Sequence, residues 1–164
     1  MTDVDAGAAP TPEDAIQPAP EGPQLRILAQ FIRDLSFENP RAPAGLQQNA
    51  RPEIQIRVDV RTAEVADSRH EVVIDINVDA RTSDGPVFLV ELTYGGLFEL
   101  ANIPPDSLQP LLQIECPRLL FPFARRVVAD ATRDGGFPPL MIDPIDFVTL
   151  FRRKLQVAGE AGQA

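Results

Sequence analysis

From residue 53 onward the chain alternates apolar and polar side chains with a period of two. Between Glu53 and Arg61 the apolar positions are Ile54, Ile56, Val58 and Val60; Glu53, Gln55, Arg57, Asp59 and Arg61 lie between them. Successive side chains of a β-strand point to opposite faces, so this pattern predicts a half-buried strand. Asp67-Ser68-Arg69-His70 predicts a turn. Glu71 to Arg81 alternates again, with Val72, Ile74, Ile76, Val78 and Ala80 on one face and Val73, Asp75, Asn77, Asp79 and Arg81 on the other. Past the turn signal Ser83-Asp84-Gly85-Pro86, a strand from Val87 to about Leu100 sends Phe88, Val90, Leu92 and Tyr94 inward and Val87, Leu89, Glu91 and Thr93 outward. Consecutive strands joined by such short turns form an antiparallel meander. Upstream, Leu25 to Phe37 predicts a first strand with Leu25, Ile27, Ala29, Phe31, Arg33, Leu35 and Phe37 on one parity, Arg33 being the intruder. Glu38 to Pro52, with Pro40, Pro43, Gly45 and Pro52, is too long for a hairpin and predicts a loop that crosses over the sheet.

After Ile103-Pro104-Pro105 the spacing becomes helical. Asp106 or Ser107 is positioned to cap a short helix to Cys116 carrying Leu108, Leu111, Leu112 and Ile114, which Pro117 interrupts. Leu120, Phe123, Ala124, Val127, Val128 and Ala131 mark an amphipathic helix over Leu119 to Arg133, closed by Gly135-Gly136. Asp143-Pro144 reads as the cap and first residue of a last helix bearing Phe147, Leu150, Phe151 and Leu155, with Arg152, Arg153 and Lys154 in its final turn. Strands followed by helices give an α+β fold: a four-stranded antiparallel sheet with a crossover loop after strand 1, one face covered by C-terminal helices.

Composition sets the limits of this domain. Residues 1–25 hold five prolines and five acids and no Lys or Arg, which predicts a disordered acidic Pro-rich tail. The folded domain is expected over 26–156, and 157–164 as a flexible C-terminal tail. The net charge of −9 speaks against nucleic acid, whose phosphates need a basic surface, and against an anionic membrane surface. No apolar run is long enough to insert in a bilayer, and the N-terminus lacks a basic start and an apolar stretch, so a cytoplasmic location is expected. Around Leu89, the outward residues Asp75, Asp79 and Glu91 form an acidic patch suited to a basic partner.

Catalytic chemistry is not visible. The single histidine, His70, falls in a predicted turn and reads as a surface residue. The single cysteine, Cys116, sits in an apolar helical segment and reads as a buried structural thiol. Neither a metal set nor a nucleophile with its base is present, so no catalytic and no metal residue is assigned. Lys154, the only lysine, reads as a partner of a helix dipole. Gly95-Gly96 lacks the context of a phosphate loop and suggests a bulge or a close backbone approach.

Four segments carry a resemblance: Asp34-Leu-Ser-Phe-Glu-Asn-Pro40, Glu91-Leu-Thr-Tyr-Gly-Gly-Leu-Phe98, Cys116-Pro-Arg-Leu-Leu-Phe-Pro-Phe-Ala-Arg125 and Gly136-Phe-Pro-Pro-Leu140. In order and spacing, from about Phe31 to Leu155, they resemble the SecB family of protein-export chaperones. That resemblance implies a non-enzymatic holdase that needs no ATP or other cofactor, keeps secretory precursors unfolded and delivers them to SecA. It implies a homotetramer, a dimer of dimers packed through the long helices, which would account for the apolar surface on Leu119 to Ala131. The positions matching the family's SecA-binding face are Asp34, Glu38, Leu89 and Glu91. Those matching its client groove are Ile54, Ile56, Val58, Phe151 and Leu155; Leu46 of the crossover loop and Phe147, from its helical face, are added to them. Family members often carry aromatic residues in the crossover loop, whereas Pro43 to Pro52 offers only Leu46, and the C-terminal tail has a single acid, Glu160. The rival expectations are a chaperone of the same fold dedicated to one partner, such as an antitoxin, and a small-molecule enzyme on an α+β scaffold.

Overall fold

Four long strands, β1 (Gln24–Glu38), β2 (Glu53–Ala66), β3 (Arg69–Thr82) and β4 (Gly85–Ala101), form one antiparallel sheet in the order β1-β4-β3-β2. The computed structural model describes residues 21–47 and 49–162. The predicted tail over 1–20 lies outside them, while Gln24 and Leu25 already belong to β1. Because β1 and β2 are the two edges, the segment between them must cross the sheet from one side to the other. A 3-10 turn at Ala44–Gln47 folds it, with Gly45 donating to the Arg41 carbonyl at 2.6 Å and Leu46 to that of Pro43 at 3.1 Å.

Strand existence follows the alternation, and the departures are bulges. β1 slips against β4 between Ile27 and Ala29 and again between Ile32 and Asp34. The first slip turns Phe31 to the outer face, contrary to the inward position expected from its parity. It lies there on Gly95, where an added Cβ would come within 2.7 Å of the ring. The second slip makes Arg33 the extra residue, which removes the apparent intruder: its guanidinium sits 5.7 Å over the Phe31 ring and pairs with Glu71. The two slips cancel, so Leu35 and Phe37 face inward again and Asp34 and Glu38 outward. A third slip, between Ala80 and Arg81, leaves Val87 unpaired and buried rather than outward. The β2–β3 turn is only Asp67-Ser68, with Ser68 at φ 58. His70 is therefore not a surface turn residue: it lies in β3, paired with Phe98 and 8% exposed.

The helical region is more continuous than its prolines suggest. α1 (Pro105–Pro110) leads through a π turn (Leu111–Glu115) into α2 (Cys116–Asp134). Pro117 does not interrupt it. Proline lacks an N–H and crowds the preceding turn, and here it stands in the first turn of α2. The widened turn before it bonds the Cys116 N–H to the Leu111 carbonyl, five residues back. α2 lays Leu120, Ala124 and Val128 against the sheet, and Gly96 admits it: a Cβ there would meet Leu120 at 2.7 Å. The last helix, α3 (Phe147–Ala161), starts later than expected, capped by Asp146 rather than Asp143: the Asp146 carboxylate accepts from the Thr149 N–H at 3.1 Å. It also ends later, so 157–161 are helical and Arg152, Arg153 and Lys154 stand in mid-helix, not in a final turn. The core lies between the centre of the sheet and α2, around Ile74, Ile76, Val90, Phe98, Leu120 and Phe147, all at 2% exposure or less. Among the described residues no helix is long and apolar enough to cross a membrane.

Candidate functional site

Where the crossover segment passes over the start of β2 it leaves a cavity of about 380 Å³. Leu46, Ile54, Val87, Phe88, Phe137 and Leu140 supply its apolar lining. Its floor is an aromatic cluster: the Phe88 and Phe137 rings lie 4.9 Å apart, and Phe37 stacks on Phe88 at 6.1 Å. The chain after α2 is pinned in place to form the far wall. Asn39 donates to the Gly135 carbonyl at 3.0 Å, and the Leu140 N–H donates to the buried Thr132 hydroxyl at 2.9 Å. Gly135 presses on the Phe37 ring, and Gly136 adopts φ 93, a conformation that favours glycine.

Beyond this cavity the inner face of β2 stays open: Ile54 is 39% and Ile56 37% exposed, Val58 is half-buried, and only Val60 reaches the core. A groove of about 370 Å³ separates β2 from α3, lined by Asp59, Leu150, Lys154 and Val157 among others. Lys154 bridges it, with its ammonium 2.7 Å from Asp59 and hydrogen-bonded to the Val60 carbonyl, so the lysine is a cross-link to the edge strand, not a dipole partner. Leu155 is 56% exposed and Phe151 half-buried on α3. Phe147 stands apart from the other sequence-predicted groove residues. As the first residue of α3 it is driven into the core, edge-on to Phe121 at 6.0 Å.

The opposite, outer face is organised in rows by strand pairing. Asp34, Thr93 and Asp75 share one row, Ser36, Glu91 and Asn77 the next, and Glu38, Leu89 and Asp79 the third. Asp34, Glu38, Leu89 and Glu91 are thus adjacent, two of them on β1 and two on β4. The acidic patch is only partly acidic. Asp75 accepts from Arg61 at 2.5 and 3.0 Å and from Thr93 at 2.8 Å, and Asp79 pairs with Arg81 at 2.9 Å. The Arg61 hydrogen bond, assisted by Thr93, holds the Asp75 carboxyl below the usual carboxylate range. Among the described residues no ion pair engages Asp34, Glu38 or Glu91, so these three carboxylates stand unpaired around Leu89.

A family model described as preprotein translocase subunit SecB matches residues 18–158. The chain belongs to the SecB family. A protein-export protein SecB of Parvibaculum lavamentivorans is 52% identical over 88% of this chain and 86% of its own. One from Rhodopseudomonas palustris is 49% identical over 93% of this chain and 95% of its own. Among solved structures, a SecB-like chaperone of Mycobacterium tuberculosis in complex with a peptide of an antitoxin superposes with a TM-score of 0.61, covering 74% of this chain and 91% of that one. At 16% identity that likeness concerns the fold.

The strand residues singled out in the sequence fall on two faces of one sheet; Leu46 and Ile54 share the cavity, Phe147 is buried, and Phe151 and Leu155 lie on α3 outside the linings of the cavity and of the α3 groove. Sequence reasoning missed Phe88, Phe137 and Leu140 as cavity residues. The signal was present in Gly136-Phe-Pro-Pro-Leu140, whose paired prolines hold the chain extended against the aromatic floor. Cys116 is fully buried, and burial, assisted by the Glu115 charge, pushes its thiol up to about 12, so it stays protonated and inert.

Proposed function

We propose that this protein is an ATP-independent holdase, which keeps secretory precursors unfolded in the cytoplasm and delivers them to SecA. The observation that carries this reading is apolar surface left open on a folded chain of the SecB family. It comprises the cavity at Leu46 and Ile54 and the uncovered inner face of β2 at Ile56 and Val58, with Phe151 and the exposed Leu155 on α3 as further apolar positions. An unfolded chain exposes extended apolar segments, and such a surface buries them without reading their sequence, each CH₂ removed from water contributing about 0.8 kcal/mol. No nucleotide is required, because release follows when SecA docks on the outer face and competes for the client. Asp34, Glu38, Leu89 and Glu91 are the proposed contacts for SecA, presenting carboxylates around an apolar centre.

The working unit is a homotetramer, a dimer of dimers. Ile27, Ile32 and Leu35 on the inner face of β1 are 38–48% exposed, and Leu119 and Phe123 on α2 are 42% and 47% exposed. Apolar surface of this extent beside an edge strand is what a subunit interface covers, and several grooves on one assembly hold a long client by effective concentration. The export role, rather than service to one dedicated partner, is favoured by Asp34, Glu38 and Glu91, outer-face carboxylates that no ion pair among the described residues consumes. The test is refolding of a chemically denatured precursor, without nucleotide, in the presence of stoichiometric full-length protein. Slowed refolding, relieved by SecA, is expected; unaltered kinetics would refute the reading.

A further inference from the structure

Lys154 is the only lysine in the chain, and among the described residues it is the one polar side chain of α3 that bonds to β2. The helix is anchored at its start, where Phe147 is buried and Leu150 and Phe151 are half-buried. Beyond Phe151 every residue of α3 except Lys154 is exposed, Val157 at 65%. The tie crosses the free edge of the sheet. β2 is an edge strand; Val60 faces the core, whereas Asp59 pairs with Asp75 on the outer face. The ammonium meets both, the Asp59 carboxylate at 2.7 Å and the Val60 carbonyl. It thus occupies a backbone acceptor on the same strand as the uncovered Ile54 and Ile56. A covered carbonyl needs a donor, so whatever displaces the lysine must supply one, and an extended polypeptide carries an N–H on every residue except proline. The tie is also weak. The Lys154 and Asp59 side chains remain 35% and 53% exposed, and an ion pair this wet is screened by salt and shifts an equilibrium only a few-fold.

We propose that Lys154 is a displaceable clasp: it holds α3 to the edge of β2 when no client is bound, and an extended client segment enters between helix and strand by replacing it on the Val60 carbonyl. The proposal rests on the client-groove reading above and adds the positioning residue that governs access to the β2 margin. On the helix side the bridged groove is lined by Leu150, Val157, Ala158 and Ala161, mostly small apolar side chains that a second backbone can approach closely. Lysine suits the task, because a compact ammonium on a flexible four-carbon stem swings out without moving the helix backbone.

The test follows association of an uncharged fluorescent decapeptide of Ser and Phe with the full-length protein by stopped-flow anisotropy. With no charge on the peptide, screening by salt acts on the clasp. Lys154→Met keeps the length of the side chain and removes its charge and donor; it is expected to speed association and tighten binding about threefold, the scale of a half-exposed pair. Asp59→Asn loosens the same tie from the strand side and gives the same sign. High salt speeds association with the unsubstituted protein and has less effect on Lys154→Met. Lys154→Arg, which keeps the charge and a donor for the Val60 carbonyl, retains the slow, salt-sensitive rate. A lysine that merely braces α3 predicts the reverse, slower or weaker binding in Lys154→Met. That result, or a rate that neither Lys154→Met nor Asp59→Asn changes, overturns the clasp while the groove reading stands. A peptide that fails to bind the unsubstituted protein overturns the groove reading and this inference with it.

Discussion

The central and edge strands of this sheet carry the same alternation of branched apolar residues, yet they meet opposite environments. On β3, Ile74 and Ile76 are fully buried and Val78 is 2% exposed; on β2, Ile54 and Ile56 on the same face are 39% and 37% exposed. β1 repeats the contrast with Ile32 at 48% and Leu35 at 41%, against β4 with Val90 and Leu92 at 0% and 2%. The cause is the reach of the covering layer. α2 packs on the middle of the sheet, where Gly96 lets Leu120 approach, while α3 meets β2 across an open groove bridged by Lys154. One pattern therefore builds a core at the centre and leaves apolar area open at the margins, where the proposed client and subunit contacts would lie.

Substitutions that treat the two regions alike should separate them. Ile76→Ala is expected to cost about 3 kcal/mol in chemical denaturation, through lost burial and a cavity the core cannot close. Ile56→Ala, on the same face, should cost less than about 1 kcal/mol and weaken client binding instead; equal costs would mean that β2 is as covered as β3. Gly96→Ala tests the covering layer itself. Its new methyl meets Leu120 and Phe98 within 2.8 Å, so a loss of about 2 kcal/mol is expected, with the apparent exposure of the centre rising.

Effects on the outer face should be smaller and confined to partner binding. Glu91→Lys is expected to weaken SecA binding about tenfold in a titration at physiological salt, with assembly and client holding intact. The smallest effect concerns acid stability. The Asp75 carboxyl has a lowered pKa in the folded protein, so its contribution is present above the ordinary aspartate range and is lost as pH falls through that lowered value. Solvent around Arg61 and Asp75 keeps the contribution below about 1 kcal/mol. Asp75→Asn should flatten the acidic limb of the stability profile; an unchanged limb assigns it to other carboxylates.

The strands, their order of appearance and the α+β class were legible because a period of two is enforced by backbone geometry wherever one face is covered. Bulges were not, since an inserted residue leaves no mark of its own in composition: Leu28, Arg33 and Val87 each read as ordinary members of an alternating run. Pro117 reads as a break in the sequence because nothing local marks the widened turn ahead of it, Leu111–Glu115. Asp143 and Asp146 are both competent caps, and only the path of the 136–145 segment decides between them. For the candidate site, parity alone put Leu89 and Glu91 outward, and pairing with β1 brought Asp34 and Glu38 beside them. The cavity was only half legible. Leu46 and Ile54 belong to neighbouring sequence, whereas Phe88, Phe137 and Leu140 converge on them from distant segments. Phe147 shows the converse, an amphipathic position that satisfies a groove and a core equally well until the helix start is fixed.

The central claim is that the uncovered apolar margin along β2 is where clients lie. Hydrogen exchange on the full-length protein, saturated with an unfolded precursor, tests it directly. The account predicts slowed exchange over 44–47, 54–58 and 150–155, with the outer-face segment 89–91 unchanged; protection confined to 89–91, or none along β2, would contradict it.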